Sequence, residues 1–114
     1  MKIEKFEDII AWQKGKLLAT SLYGALNQNK DYGFKDQIFR ASVSISNNIA
    51  EGFERQSNKE LIKFLFIAKG SCAEVRSMLY IADELGYISK GDFQRLYLLS
   101  QEISRMLSGF IKTL

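Results

Sequence analysis

Five polar residues recur at helical spacing in the middle of this chain. Arg40, Ser44, Asn47, Glu51 and Arg55 fall at i, i+4, i+7, i+11 and i+15, so a helix would present them along one face. Gln37 and Asn48 flank that row. Two chemistries suit it. Guanidinium, amide and hydroxyl groups in line can donate to successive phosphates or read an extended ligand. Alternatively the row is a hydrogen-bonded seam between helices or subunits, because Ser and Asn in mid-helix need partners. The seam carries more weight, since the row has no aromatic stacking partners on its own face. Glu51 and Arg55 are spaced for an i,i+4 ion pair.

Cations gather nearby. Arg55, Lys59 and Lys63 bracket one turn, and Lys14 and Lys16, with Lys2 and Lys5, add charge to the first segment. Sixteen Lys and Arg against thirteen Asp and Glu give net +3 and a pI near 9.0. That balance permits a polyanion without demanding one. Repetition of the cluster around a ring of subunits would turn a modest patch into a strong one.

Little else suggests chemistry. Histidine is absent, which removes the commonest general base and metal ligand together. Cys72 is the single cysteine; it lies on an apolar stripe and reads as an inert core thiol. Asp83 and Glu84 are adjacent and point different ways, with no Glu-x-x-His to complete a di-iron site. Gly15, Gly24 and Gly33 are scattered rather than gathered in a phosphate loop. Glu74, three residues after Ser71, is expected to pair with Arg40 or Arg76. The reading is of no enzyme, no metal and no cofactor.

The elements that must position these groups read as four helices, uninterrupted by proline. The first runs from Phe6 to about Asn27, with Ala11, Gly15, Leu18, Leu22 and Leu26 on one face and Glu7 and Asp8 placed to complement the dipole in its first turn. The second runs from Asp31 or Phe34 to Arg55, striped by Phe34, Ile38, Ala41, Ile45, Ile49 and Phe53. Its centre, Ser42-Val43-Ser44-Ile45-Ser46, alternates like a strand, but the longer stripe decides for helix. The third opens on a Ser57-Asn58-Lys59-Glu60 capping box, carries Leu61, Leu65, Ala68, Cys72, Val75, Leu79 and Ala82, and ends at Gly86. The fourth starts at Ser89, has Asp92 three residues on, and is striped by Phe93, Leu96, Leu99, Ile103, Leu107 and Phe110 to the end. Short links between long helices force antiparallel neighbours. The expected fold is an all-α, up-down-up-down four-helix bundle occupying residues 1–114 as one domain.

Apolar side chains exceed what one such bundle can hide. Beyond the main stripes, the third segment carries Ile62, Phe66, Ala73 and Tyr80 beside the small Gly70 and Ser77. The first adds Trp12 and Tyr23, and the fourth Tyr97 and Leu98. Left in water these would form a sizeable patch, so the chain is expected to self-associate, the small residues marking where another backbone could approach. Composition, with 46% apolar and 25% charged residues, is that of a globular domain. No apolar run approaches the roughly 20 residues of a membrane span. Acids interrupt the first residues at once, so no signal segment is read and a cytoplasmic setting is expected.

Several stretches resemble one bacterial family. Phe6-Glu7-Asp8-Ile9-Ile10-Ala11-Trp12-Gln13-Lys14, Tyr32-Gly33, the run from Gln37 to Gly52 ending Asn48-Ile49-Ala50-Glu51-Gly52, and Phe64 to Ser71 followed by Glu74 closely resemble the four-helix-bundle proteins encoded in intervening sequences of 23S ribosomal RNA genes. The likeness spans residues 6 to about 88. The chain is also similar to the accessory protein of diversity-generating retroelements, a basic pentamer that binds nucleic acid and a reverse transcriptase. The resemblance implies a bundle assembling as a homopentameric ring, with RNA or DNA and a partner protein as candidate ligands. It departs from the pattern in lacking the prolines many members carry before Tyr32-Gly33 and after Val43-Ser44-Ile45.

Overall fold

The computed structural model describes residues 3–114; Lys2, counted among the cations of the first segment, lies outside them. Four helices follow one another: α1 (Ile10–Ala25), α2 (Tyr32–Phe53), α3 (Asn58–Glu84) and α4 (Lys90–Lys112). Among the described residues there is no strand.

Local chemistry fixes most of the helix ends. Asp31, Ser57 and Ser89 each accept a hydrogen bond from the backbone N–H three residues on, at 3.2, 3.2 and 3.0 Å, which satisfies an otherwise orphaned donor at the start of α2, α3 and α4. Only the Ser57 half of the expected capping box forms. At the other end of α3, Gly86 takes φ +71°, a conformation that costs glycine little. Its N–H reaches Asp83 O at 3.1 Å and the N–H of Tyr87 reaches Ala82 O at 2.8 Å, the paired bonds of a Schellman turn.

The first helix starts later than its sequence suggests. Phe6–Asp8 form one 3-10 turn, and Ile9 turns extended at φ −78°, ψ 119° before α1 begins. Glu7 and Asp8 therefore sit in that turn and not in the first turn of α1. Gln13 ties the two together by donating to Glu7 O at 2.9 Å, and Phe6 packs edge-on to Trp12, ring centres 5.2 Å apart.

Each helix packs on two neighbours, α1 on α2 and α4, and α3 on α2 and α4. The result is an antiparallel bundle measuring 43 × 22 × 19 Å. Leu18, Leu22, Ile38, Ile45, Ile49, Leu65, Val75, Leu79, Leu96, Ile103 and Leu107 are fully enclosed, and burial of each such side chain is worth about 1.5–3 kcal/mol. The strand-like centre of α2 is helical: Ser42 and Ser46 are buried and turn their hydroxyls onto Phe39 O and Val43 O at 2.7 and 3.1 Å, so the small polar residues cost the core no unpaired group. Near the end of α2 the helices approach closely. A Cβ on Gly52 would stand 2.6 Å from Phe64 Cβ.

Candidate functional site

The polar row on α2 divides lengthwise. Its side toward α3 is a seam: Ser44 Oγ and Ser71 Oγ lie 2.9 Å apart, Gln37 Nε2 donates to Glu74 Oε2 at 3.4 Å, and Asn48 Nδ2 donates to Ser44 O and Oγ at 2.7 and 2.9 Å. Its outward side, Arg40, Asn47 and Glu51, is exposed, and Arg40 and Asn47 border a shallow groove of about 410 Å³ that also touches Phe39 and Val43. The expected pairing of Glu74 with an arginine does not occur. Arg40 is taken at 2.8 Å by Asp36, four residues back on its own helix, and Arg76 turns inward to Cys72 Sγ at 3.8 Å, leaving Gln37 as donor to Glu74.

Because neighbours alternate in direction, the start of α1, the end of α2 and the start of α3 share one end of the bundle. Arg55, Lys59 and Lys63 are brought to that end. Lys14 and Lys16 flank Gly15, which faces Ile45 and Ser46 in the middle of α2, and Arg40 stands fifteen residues before Arg55, about 22 Å along α2 at 1.5 Å per residue. Not all of this charge is available. Lys14 bridges to Glu102 on α4 at 3.2 Å and Arg55 to Glu51 at 3.1 Å. Arg55 also covers the Phe64 ring at 4.8 Å and Lys16 the Trp12 ring at 5.3 Å. Lys59 and Lys63 are exposed, one turn apart near the start of α3.

Those two lysines head a longer line. Lys59, Lys63, Phe66, Gly70, Ala73, Ser77 and Tyr80 follow at steps of four and three, and all are exposed, so α3 turns a heptad-spaced face outward. Phe66 and Tyr80 are 55% and 54% exposed, and Ile67 and Ile81, which flank the line, 46% each. Gly70 at its middle has open space where a side chain would be. The sequence pattern picks out Phe66, Ala73 and Tyr80 but assigns Ile67 and Ile81 to no face, although their spacing from Gly70 and Ser77 carries the signal.

Other expected interface residues are engaged within the chain. Ile62, Trp12 and Tyr97 are half-buried; Trp12 meets Phe6, and Tyr97 stacks on Phe93 at 5.6 Å while its hydroxyl accepts from Tyr80 at 2.9 Å. Tyr23 is exposed and leans on Phe39, ring centres 5.3 Å apart. Cys72 is enclosed and donates to Ser100 O at 3.0 Å. Burial pushes its thiol above the usual range, against a smaller opposite pull from Arg76, so it is not poised as a nucleophile.

Among the described residues no group of His, Cys, Asp or Glu is placed to hold a metal ion, and no helix is long and apolar enough to cross a membrane. A family model described as 23S rRNA-intervening sequence protein matches residues 7–109. Among solved structures, the chain is similar to a protein of unknown function from the S23 ribosomal protein family of Bacteroides thetaiotaomicron, with 26% identity and a TM-score of 0.84 over 90% of this chain and 98% of that one. No curated protein matches the sequence.

Proposed function

Because this chain belongs to the 23S rRNA-intervening sequence protein family, we propose that it is a non-enzymatic assembly unit of the cytoplasm whose copies join through the outer face of α3 and the adjoining polar row of α2. The ring so formed, five copies in the number the resemblance implies, binds RNA or DNA through cations that each copy repeats. One observation carries the reading: Phe66, Ile67, Tyr80 and Ile81 stand about half exposed on a single helix, around the small Gly70, Ala73 and Ser77. Exposed apolar surface of this kind costs free energy in water and marks an interface, and small residues let a second helix come close. Asn47, exposed beside it, supplies a polar group that fixes register.

Lys59 and Lys63 continue the same α3 line, so association through that face gathers them at the joints between copies. Multiplied around a ring, they form the polyanion site.

Absolute mass by light scattering at micromolar concentration tests the assembly. An oligomer that Phe66→Glu or Gly70→Arg reduces to folded monomers is expected; a wild-type monomer at tens of micromolar ends the reading. Binding of duplexes and 23S ribosomal RNA fragments is then expected to weaken linearly in log K against log salt. Absence of binding at low salt removes the nucleic-acid half alone.

The carboxylate partners of Lys14, Arg40 and Arg55 favour a second reading, a scaffold that recruits a protein partner. It expects an assembled chain that ignores duplexes at low salt and retains one protein in stoichiometric amount after nuclease treatment.

A further inference from the structure

We propose that the cleft between the end of α1 and the start of α2 binds a small aromatic carboxylate. This site lies apart from the α3 face and does not depend on assembly. The cleft encloses about 570 Å³, within the range of small-molecule sites. Its floor is apolar, formed by Leu22, Leu26 and Ile38, each at most 2% exposed. Aromatic rings stand around it: Tyr23 against Phe39 with centres 5.3 Å apart, and Tyr32, 68% exposed. A planar ring can lie on such surfaces face-on or edge-on.

Charge selects the substituent. Two charged side chains line the cleft. Asp36 is already held by Arg40 at 2.8 Å. Lys35 has neutral company: its ammonium donates to Asn27 O at 3.2 Å and lies 5.5 Å from the centre of the Tyr32 ring. The neighbouring Asp31 does not line the cleft, and its two oxygens accept from Phe34 N and from the Tyr87 hydroxyl. The uncompensated charge over the apolar floor is therefore positive. An anion on an aromatic ring satisfies both features, since a carboxylate can take a charge-assisted bond from Lys35 while its ring lies against the exposed faces of Tyr23 and Tyr32 above that floor. Gly33 leaves the approach open, because a Cβ there would come no nearer than 3.9 Å to Asp31 Oδ1.

Titration of the full chain with 2-naphthoate and with its neutral counterpart 2-naphthalenemethanol, followed by calorimetry, tests the assignment. The carboxylate is expected to bind about ten- to a hundredfold more tightly, as a hydrogen bond to a charged group implies, and the gap to narrow with salt. Lys35→Gln removes the gap while leaving the neutral ligand's affinity unchanged. Tyr23→Ala, at an exposed position, weakens both ligands, and Lys112→Gln at the opposite end of the bundle weakens neither; thermal unfolding followed by circular dichroism confirms that each variant folds. Equal affinity for the two ligands, or a gap that survives Lys35→Gln, overturns the proposal. So does dissociation of self-associated chain by saturating 2-naphthoate, since the cleft would then be a contact between copies.

Discussion

Tyr87 donates its hydroxyl to Asp31 Oδ2 at 2.7 Å, fastening the link between α3 and α4 to the link between α1 and α2. The same carboxylate caps α2 by accepting from Phe34 N at 3.2 Å, and the Phe34 and Tyr87 rings meet edge-on with centres 5.3 Å apart. One side chain thus starts a helix and ties two loops at one end of the bundle.

The pH dependence of this clasp follows from both groups. The Tyr87 hydroxyl, and after it the Phe34 N–H, hold the Asp31 carboxyl below its ordinary 3.8, while the bond to Asp31 raises Tyr87 above its ordinary 10.0. A lowered acid contributes stability above its unfolded value and loses it as pH falls through the folded one; a raised phenol contributes below its unfolded value and loses it as pH rises through the folded one. Tyr87→Phe, which keeps the ring on Phe34, is therefore expected to be less stable than wild type between about pH 4 and 10, with the difference closing below and above that window. Urea melts at pH 3, 7 and 10.5 read it, and a difference independent of pH would refute the assignment.

Two glycines on facing elements should respond oppositely to alanine. At Gly52 the new methyl meets Phe64 Cβ at 2.6 Å and Leu61 Cδ1 at 3.2 Å, and the Phe64 Cβ cannot move without shifting α3. Overpacking of this kind costs about 1–3 kcal/mol. At Gly70 nothing stands within 4 Å, so the helix gains the alanine preference, about 0.8–1 kcal/mol. Denaturant melts of the two variants under monomeric conditions check this. Light scattering adds a second reading of Gly70→Ala: at the centre of a joint between copies, the methyl should weaken association even as it stabilises the chain.

What could be read from the sequence divides along the same physical line. Periodicity exposed the cores of all four helices because each buries one stripe, and Ser57, Ser89 and Gly86 announced their ends because those residue types satisfy orphaned backbone groups locally. The start of α1 was not legible: no side-chain cap marks it, and Ile9 leaves the helical region with nothing in the sequence to demand it. The polar row was legible as a face but not its partners. Spacing along α2 locates Arg40 and Ser44, whereas the choice of Asp36 over Glu74, and of Ser71 for Ser44, depends on how α3 is set against α2. Gly52 was legible only as part of a family signature, since its role is a close approach across helices.

Cys72 tests the buried face of the third helix. With the thiol enclosed, bonded to Ser100 O and shifted upward by burial, native protein at pH 7.5 should react with a disulfide reagent only at the rate of unfolding. One equivalent of thiol should appear promptly in denaturant. Prompt release from native protein would mean that the α3–α4 joint opens without global unfolding.

The cations make the sharpest distinction for the nucleic-acid reading. A lysine already facing a carboxylate contributes little to counterion release, because the pair is nearly neutral before the polyanion arrives. Lys14 with Glu102 and Arg40 with Asp36 are in that position; Lys59 and Lys63 are exposed beside the α3 face. Replacement of both Lys59 and Lys63 by Gln should leave the unfolding free energy within about 0.5 kcal/mol of wild type, as exposed substitutions do. It should also flatten the slope of log K against log salt by about 0.9 for each phosphate that the variant no longer neutralises. Lys14→Gln and Arg40→Gln should change that slope less. An equal effect at all four positions would show that the bound surface is not the start of α3, and that duplexes are held by the chain's overall charge instead.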